Sequence, residues 1–178
     1  MELQILHGIQ QLHNDWLSQI MIFFTTIGDA GICWIVTSIV LALFPKTRRC
    51  GLEMMASMAL TFLLGNLCLK NLFARPRPFF VDESVTLLIP EPSEYSFPSG
   101  HTSNGFAAAV IIFANYRRAG IAALLVAATI AFSRMYLFVH YPTDILGGIA
   151  LGTLDACIVL WCVNKSKRMR GIHETGKN

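Results

Sequence analysis

Long apolar stretches separated by short polar connections run through almost the whole chain. A membrane-spanning helix needs about 20 apolar residues, and several of these stretches approach that length. Prolines, glycines and charged residues mark their borders, where helices usually end. The pattern predicts an all-α integral membrane bundle of about six transmembrane helices, over residues 16–27, 32–44, 50–69, 102–115, 119–139 and 145–163.

The start of the chain has a different pattern. Within residues 2–14, Leu3, Leu6 and Ile9 recur at helical spacing, and polar side chains fill the other face. An apolar stripe on a short helix is typical of a helix that lies in the membrane surface. We therefore predict a short N-terminal amphipathic helix ahead of the spanning bundle.

Composition supports a membrane protein with a single domain over residues 1–178. The chain has 178 residues, of which 54% are hydrophobic and 14% charged, and its mean hydropathy is +0.53. Soluble domains are nearer about 25% charged. The net charge of +3 is too small to indicate a nucleic-acid partner. We expect a multi-pass protein of the plasma membrane, and the sequence leaves its oligomeric state open.

Basic residues form three clusters, and with six spans all three fall on one side of the membrane. Positive charge in short connections marks the cytoplasmic side. The pattern predicts that both termini are cytoplasmic and that a basic tail over residues 164–178 frays. The clusters comprise Lys46, Arg48 and Arg49; Arg117 and Arg118; and Lys165, Lys167, Arg168, Arg170 and Lys177.

The remaining basic residues are Lys70, Arg75, Arg77 and Arg134, and on this topology all of them fall on the outer side. Basic residues are disfavoured on that side of a membrane protein unless something requires them. This exception indicates an anion-binding site in the outer part of the bundle.

The stretch over residues 133–144 joins two spans and holds Arg134, His140 and Asp144 in otherwise apolar sequence. Pro142 fits the first turn of a helix and not its interior, so His140 lies in the joint and Asp144 in the first turn of the last span. A carboxylate behind an imidazole fixes its tautomer and makes the other nitrogen a better nucleophile or base. The same residues also fit a plain helix start, in which Asp144 only complements the helix N-terminus.

A second polar stretch, Ser99, Gly100 and His101, opens the span over residues 102–115. Glycine allows close backbone approach, free N–H groups at a helix start bind anions, and the serine adds a hydroxyl. Alone, this stretch is also ordinary helix capping.

Together these pieces resemble the three-part signature of the type 2 phosphatidic-acid phosphatase superfamily. That superfamily includes lipid phosphatases, soluble bacterial acid phosphatases and vanadium haloperoxidases. The resemblance covers residues 70–144, and the spanning pattern extends it over most of the chain. Its three parts are Lys70, Arg77 and Pro78; Pro98, Ser99, Gly100 and His101; and Ser133, Arg134, His140 and Asp144.

The resemblance implies covalent phosphoryl transfer. His140 would be the nucleophile that forms a phosphohistidine, Asp144 would orient it, and His101 would protonate the leaving oxygen and then activate water. Such a site needs no metal and no cofactor, and we find no carboxylate cluster suited to a metal. The phosphoryl oxygens would be held by Lys70, Arg77, Ser99, the Gly100 N–H and Arg134.

Three more polar residues lie outside this signature, and we state the role expected of each. Arg75 lies outside the core signature and either touches the substrate or anchors at lipid headgroups. Asp29 falls on the outer side, where we expect a structural role. Asp155 lies in the middle of a span, and we expect it to pair with a polar group such as Asn66.

The sequence favours an integral-membrane lipid phosphatase that hydrolyses a lipid mono- or diphosphate on the outer face. An anion-binding transporter would not need a nucleophile, and spanning helices argue for a lipid over a halide substrate. Because polyprenyl diphosphates are released on the outer leaflet, we favour undecaprenyl diphosphate over phosphatidylglycerophosphate or phosphatidate. The expected partners are this lipid and the membrane, with no nucleic acid.

Overall fold

The computed structural model describes the backbone of residues 1–175 and the side chains of residues 1–166. Within them the chain is helical apart from turns and loops, which confirms the predicted all-α class. A 3₁₀ turn, Asp29–Gly31, joins α2 to α3, and a π-helical segment, Phe62–Leu69, joins α4 to α5. The helices are α1 (Glu2–Gln10), α2 (Asp15–Gly28), α3 (Ile32–Leu43), α4 (Arg48–Thr61), α5 (Lys70–Phe73), α6 (Pro78–Val81), α7 (Gly100–Asn115), α8 (Arg117–Tyr136) and α9 (Pro142–Thr175).

Helix α7 forms the centre of the bundle and packs against α4, α8 and α9. Small residues make this close packing possible, as in many membrane bundles. A Cβ on Gly152 of α9 would lie 2.2 Å from the Ser103 carbonyl oxygen, and a Cβ on Gly105 would lie 3.2 Å from the Ala127 Cβ of α8. Both faces of α7 are therefore fixed by backbone contact with its neighbours.

The two ends of the bundle differ in chemistry. At one end, which we call the basic end, Tyr116 donates a hydrogen bond to the Lys46 carbonyl (3.1 Å) and Arg49 donates one to Asn164 (3.0 Å). The described members of the three basic clusters therefore meet at one end, whereas the side chains of Lys167, Arg168, Arg170 and Lys177 lie outside the described part. The opposite end, which we call the loop end, carries the long connection over residues 74–99.

The first two predicted spans, over residues 16–27 and 32–44, form one continuous path in the structure. Residues 15–43 form a single apolar path of 29 residues. Helices α2 and α3 are each about 20 Å long, too short for a hydrocarbon core of about 30 Å. The 3₁₀ turn breaks the path where Ala30 and Gly31 adopt positive φ angles of 50° and 71°. Prediction of separate spans over residues 16–27 and 32–44 was wrong because a break inside one path leaves the same apolar pattern as two short spans.

Among the described residues, four stretches are long and apolar enough to cross a membrane: Asp15–Leu43, Arg48–Val81, Arg117–Tyr136 and Pro142–Ser166. Helix α7 has 16 residues and completes the bundle between α6 and α8. Among these residues the predicted count of six spans is not confirmed, since α2 and α3 share a path.

The predicted amphipathic helix is present as α1, and it lies at the loop end. Gln10 and His13 both contact the Tyr136 carbonyl, at 2.8 and 2.9 Å. Leu6 is fully buried, because the apolar stripe of α1 packs on the protein. Helix α9 begins at the loop end and runs through Thr175, so the tail predicted to fray is helical there. The amino terminus and the end of α9 therefore lie at opposite ends of the bundle, whereas the sequence led us to expect both termini on one side.

The sidedness of the bundle leads to a labelling prediction. Single cysteines at Gln11 and Glu83 lie at the loop end, and one at Lys46 lies at the basic end. Because positive charge favours the cytoplasm, an impermeant thiol reagent should label Gln11→Cys and Glu83→Cys on intact cells. Lys46→Cys should react only after permeabilisation.

The measurement is made in a background in which the five native cysteines are replaced. Labelling of Lys46→Cys without Glu83→Cys would reverse the orientation. Labelling of Glu83→Cys without Gln11→Cys would contradict the position of α1.

Candidate active site

A polar cavity of about 590 Å³ opens at the loop end. Its walls come from the end of α2, the turn after it, the end of the π-helical segment, the long connection, the start of α7 and the end of α8. Residues that are far apart in the sequence therefore meet in one place. The site residues predicted from the sequence that line it are Lys70, Arg77, Gly100, His101, Arg134 and His140.

Three cations of this cavity are almost completely buried. Lys70, Arg77 and Arg134 are 5%, 3% and 3% exposed. A buried charge is costly unless it is paired and hydrogen-bonded. The arrangement therefore calls for negative charge in the cavity.

The protein supplies only part of that negative charge. Lys70 forms an ion pair with Glu94 of the long connection, and this hydrogen bond lowers the pKa of Glu94. Arg77 donates hydrogen bonds to the Glu94 carbonyl (2.7 Å) and the Val139 carbonyl (2.9 Å). Arg134 donates to the Thr25 hydroxyl, and its Nε has no partner among the described residues. The cavity is thus suited to an anion with several oxygen atoms.

His140 lies in the short joint between α8 and α9, with Asp144 one turn later. Its Nδ1 is 3.4 Å from Asp144 Oδ2, and its Nε2 is 3.2 Å from Arg77 Nη1. Ser96 donates a hydrogen bond to Asp144, as does the Tyr141 N–H (2.8 Å). A proton on Nδ1 fits this pattern, because Nε2 then accepts from the guanidinium. This hydrogen bond uses the Nε2 lone pair, and both His140 and Arg77 line the cavity.

The surroundings of His140 keep the imidazole neutral. Burial lowers the pKa of His140 to about 3, Arg77 and Arg134 add to the shift, and Asp144 opposes it. At neutral pH the ring therefore carries no proton on one nitrogen. A neutral imidazole beside buried cations is a competent nucleophile for an electron-poor centre.

The start of α7 supplies the third part of the site. Ser99 caps the helix, and its hydroxyl accepts a hydrogen bond from Thr102 Oγ1 (3.0 Å). Gly100 lines the cavity, and a Cβ there would lie 3.9 Å from Lys70 Nζ. His101 also lines the cavity, and its Nε2 is 2.9 Å from Asp29 Oδ1. Ser99 itself lies behind the cavity wall.

Arg75 makes its polar contacts within the protein. Its Nη1 donates to Asp144 Oδ1 (2.7 Å), its Nη2 donates to Glu2 Oε2 (2.6 Å), and its guanidinium lies 3.9 Å from the centre of the Tyr141 ring. The side chain thus connects the N-terminal helix to the carboxylate behind His140. It is not among the residues that line the cavity.

Sequence reasoning missed the contacts of Ser96, Glu94 and Asp29. Each of them meets its partner through the fold, so no local spacing could reveal the contact. Asp155 pairs with a polar group, as expected, but its partner is Thr61, which donates a hydrogen bond to it (2.8 Å), whereas Asn66 lines the cavity. In the described residues no group of three His, Cys, Asp or Glu side chains is placed to hold a metal ion.

The chain is similar in sequence to a known protein family and to several of its members. Residues 51–168 match the family model described as the PAP2 superfamily. The chain is 31% identical over 140 residues to an undecaprenyl-diphosphatase of Sulfolobus acidocaldarius, covering 77% of this chain and 66% of that one. It is 31% identical over 172 residues to phosphatidylglycerophosphatase B of Bacillus subtilis, covering 89% of this chain and 81% of that one.

A solved structure supports the same grouping. The crystal structure of Aquifex aeolicus LpxE superposes on this chain with a TM-score of 0.79. The two are 27% identical, and the match covers 89% of this chain and 94% of LpxE. The match to the family model begins at residue 51, so Glu2 and Asp29 lie outside the region that it compares.

The contact of Arg75 with Asp144 leads to a stability prediction. Arg75→Gln leaves one oxygen of a fully buried carboxylate without its charged partner, which should cost about 1–3 kcal/mol. Glu2→Gln is the matched control, since it breaks only the partly exposed side of the same network, worth about 0–1 kcal/mol. Thermal unfolding in one detergent should show the larger loss for Arg75→Gln. Equal losses would contradict a structural dependence of Asp144 on Arg75.

Proposed function

The chain belongs to the PAP2 superfamily and is a membrane lipid phosphatase, and from that premise we propose that its polar cavity hydrolyses undecaprenyl diphosphate. The proposed product is undecaprenyl phosphate, and the reaction proceeds through a phosphohistidine on His140. The observation that carries the proposal is a cavity with three buried cations around a neutral imidazole that is backed by a carboxylate.

In the first step His140 Nε2 attacks the terminal phosphorus. The bond from phosphorus to the bridging oxygen breaks, and that oxygen leaves with the lipid. His101 gives a proton to the leaving oxygen. Asp144 accepts the Nδ1–H hydrogen bond and stabilises the positive charge that develops on His140.

In the second step water attacks the phosphorus of the phosphohistidine. His101 takes a proton from that water, the N–P bond breaks, and its electron pair returns to His140 Nε2. Inorganic phosphate leaves, and both histidines regain their starting states. One residue thus acts first as acid and then as base.

Lys70, Arg77, Arg134 and the Gly100 N–H hold the phosphoryl oxygens in this proposal, and Ser99 holds Gly100 in place at the start of α7. Charge stabilisation is the main demand of phosphoryl transfer. A single preorganised donor in a dry site is worth about 2.7–4 kcal/mol in the transition state. The burial of all three cations supports this use, because low exposure strengthens each contact with an anion.

The choice of substrate rests on sidedness and on the relatives. If the basic end faces the cytoplasm, the cavity faces the outer leaflet, where polyprenyl diphosphates are released. The relative in Sulfolobus acidocaldarius is named for undecaprenyl diphosphate, which favours that lipid. The relative in Bacillus subtilis is named for phosphatidylglycerophosphate, which makes that lipid the second candidate.

The proposed nucleophile is tested by His140→Ala. This change should reduce phosphate release by purified protein in detergent to the background, because no other group can form the covalent intermediate. Orthovanadate should inhibit the unaltered protein, and excess chelator should leave its rate unchanged. His7→Ala, which alters an exposed histidine of α1, is the matched control and should retain activity. Full activity of His140→Ala would exclude the mechanism.

The proposed substrate is tested by comparing kcat/KM for the two lipids in matched mixed micelles, since that ratio measures discrimination. We expect the higher value for undecaprenyl diphosphate. A preference of about tenfold or more for phosphatidylglycerophosphate, which is about 1.4 kcal/mol in the transition state, would reverse the choice of substrate and leave the mechanism standing.

A further inference from the structure

Both histidines of the cavity contact a carboxylate, and only one of these pairs lies within the sequence signature. Asp144 lies four residues after His140. Asp29 lies 72 residues before His101, at the end of a different helix, and its Oδ1 is 2.9 Å from His101 Nε2. The second pair therefore exists only in the folded protein.

The end of α2 and the turn after it bring Asp29 to His101. Helix α2 ends at Gly28, where a Cβ would lie 3.0 Å from His101 Cδ2 and 2.9 Å from Ile130 Cγ2. Directly after it, Ala30 adopts a positive φ of 50°, which is rare for a residue with a side chain. The close approach and the sharp turn together place the carboxylate beside the imidazole.

The charge of Asp29 acts on Arg134 across the cavity, but its hydrogen bond goes to His101. Its carboxylate is 58% exposed, and His101 is its one hydrogen-bond partner among the described residues. Asp29 is the C-cap residue of α2, where its backbone N–H donates to the Thr26 carbonyl. Its carboxylate takes no part in that cap and makes its hydrogen bond at the cavity.

The charged groups that face His101 are mostly positive, so a carboxylate beside its ring has an electrostatic effect. Arg134 from α8 and Lys70 from the start of α5 share the cavity with it, as do Arg77, His140 and Glu94. Positive charge dominates this set and disfavours a protonated imidazole at His101. Asp29 supplies negative charge at the ring itself, where it opposes that effect.

We propose that Asp29 is a positioning residue that holds the Nε2–H of His101 and favours the protonated imidazole in the first step of the reaction. This inference rests on the proposed function and adds to it. With Nε2–H held by Asp29, Nδ1 carries the mobile proton. That proton passes to the leaving oxygen as the phosphorus–oxygen bond breaks, and Nδ1 takes a proton from the attacking water in the second step.

The test is the pH dependence of kcat/KM for lipid phosphate hydrolysis by the full-length protein in detergent. Because a positioned general acid contributes about 10²–10⁴-fold, we expect Asp29→Asn to lower kcat/KM by about 10- to 100-fold at neutral pH. The alkaline limb of the profile should move to lower pH, because the protonated imidazole is less favoured without the carboxylate. A structural role alone would lower the whole profile and leave its limbs in place.

Three comparisons make the result specific. Asp29→Glu keeps the charge and should retain the alkaline limb and most of the rate. In a His101→Asn background, Asp29→Asn should cause no further loss, since it acts through that histidine. Asp82→Asn breaks another aspartate–histidine pair of the loop end, with His7 at 2.7 Å, and should leave the profile unchanged. If Asp29→Asn does not fold, Asp29→Ser replaces it in the exposed turn.

The outcomes separate this inference from the proposed function. A protein that releases no phosphate from any lipid phosphate overturns both. A protein whose turnover depends on His140 but is unchanged in rate and profile by Asp29→Asn overturns the role of Asp29 alone. An equal loss from Asp29→Asn with and without His101 also overturns it.

Discussion

The structure depends on one electrostatic constraint, which is the burial of three cations in a helical bundle that provides too little negative charge for them. Lys70, Arg77 and Arg134 are each 5% exposed or less. Such burial costs several kcal/mol per ion unless oxygen atoms surround the charge. Carbonyl groups, the Thr25 hydroxyl and the Glu94 carboxylate supply some of these oxygens, and the phosphoryl group of the proposed substrate would supply the rest. The loop end is thus an anion site before any substrate is considered.

Holding three like charges together requires a rigid frame, and the small residues of the bundle provide it. Gly152 lies against the backbone of α7, and Gly105 lies against α8. These contacts fix the start of α7, where Gly100 and His101 enter the cavity. The π-helical segment ends immediately before Lys70, so it sets the direction of that side chain. Packing between the apolar helices therefore determines where the side chains of the polar cavity lie.

What the sequence could predict was local. Residues within one turn, such as His140 and Asp144, follow from helix geometry, and the motif residues that line the cavity follow from the family resemblance. The path over residues 15–43 was misread because hydropathy does not distinguish a kinked helix from two spans. The predicted side of the amino terminus depends on that number of spans. The contacts of Asp29 and Ser96 join distant parts of the chain and leave no pattern in the sequence.

The two histidines have unlike surroundings, and these surroundings fit unlike proposed roles. His140 is 2% exposed and lies between guanidinium groups and a fully buried carboxylate, so it stays neutral and presents a lone pair. His101 is 16% exposed and meets a carboxylate that is itself 58% exposed, so its proton can exchange with water. The surroundings of the two histidines therefore differ in exposure and in the origin of the carboxylate that each one meets. The carboxylate beside His140 is Asp144, which lies one helical turn later in the chain. The carboxylate beside His101 is Asp29, which comes from a helix that ends across the cavity.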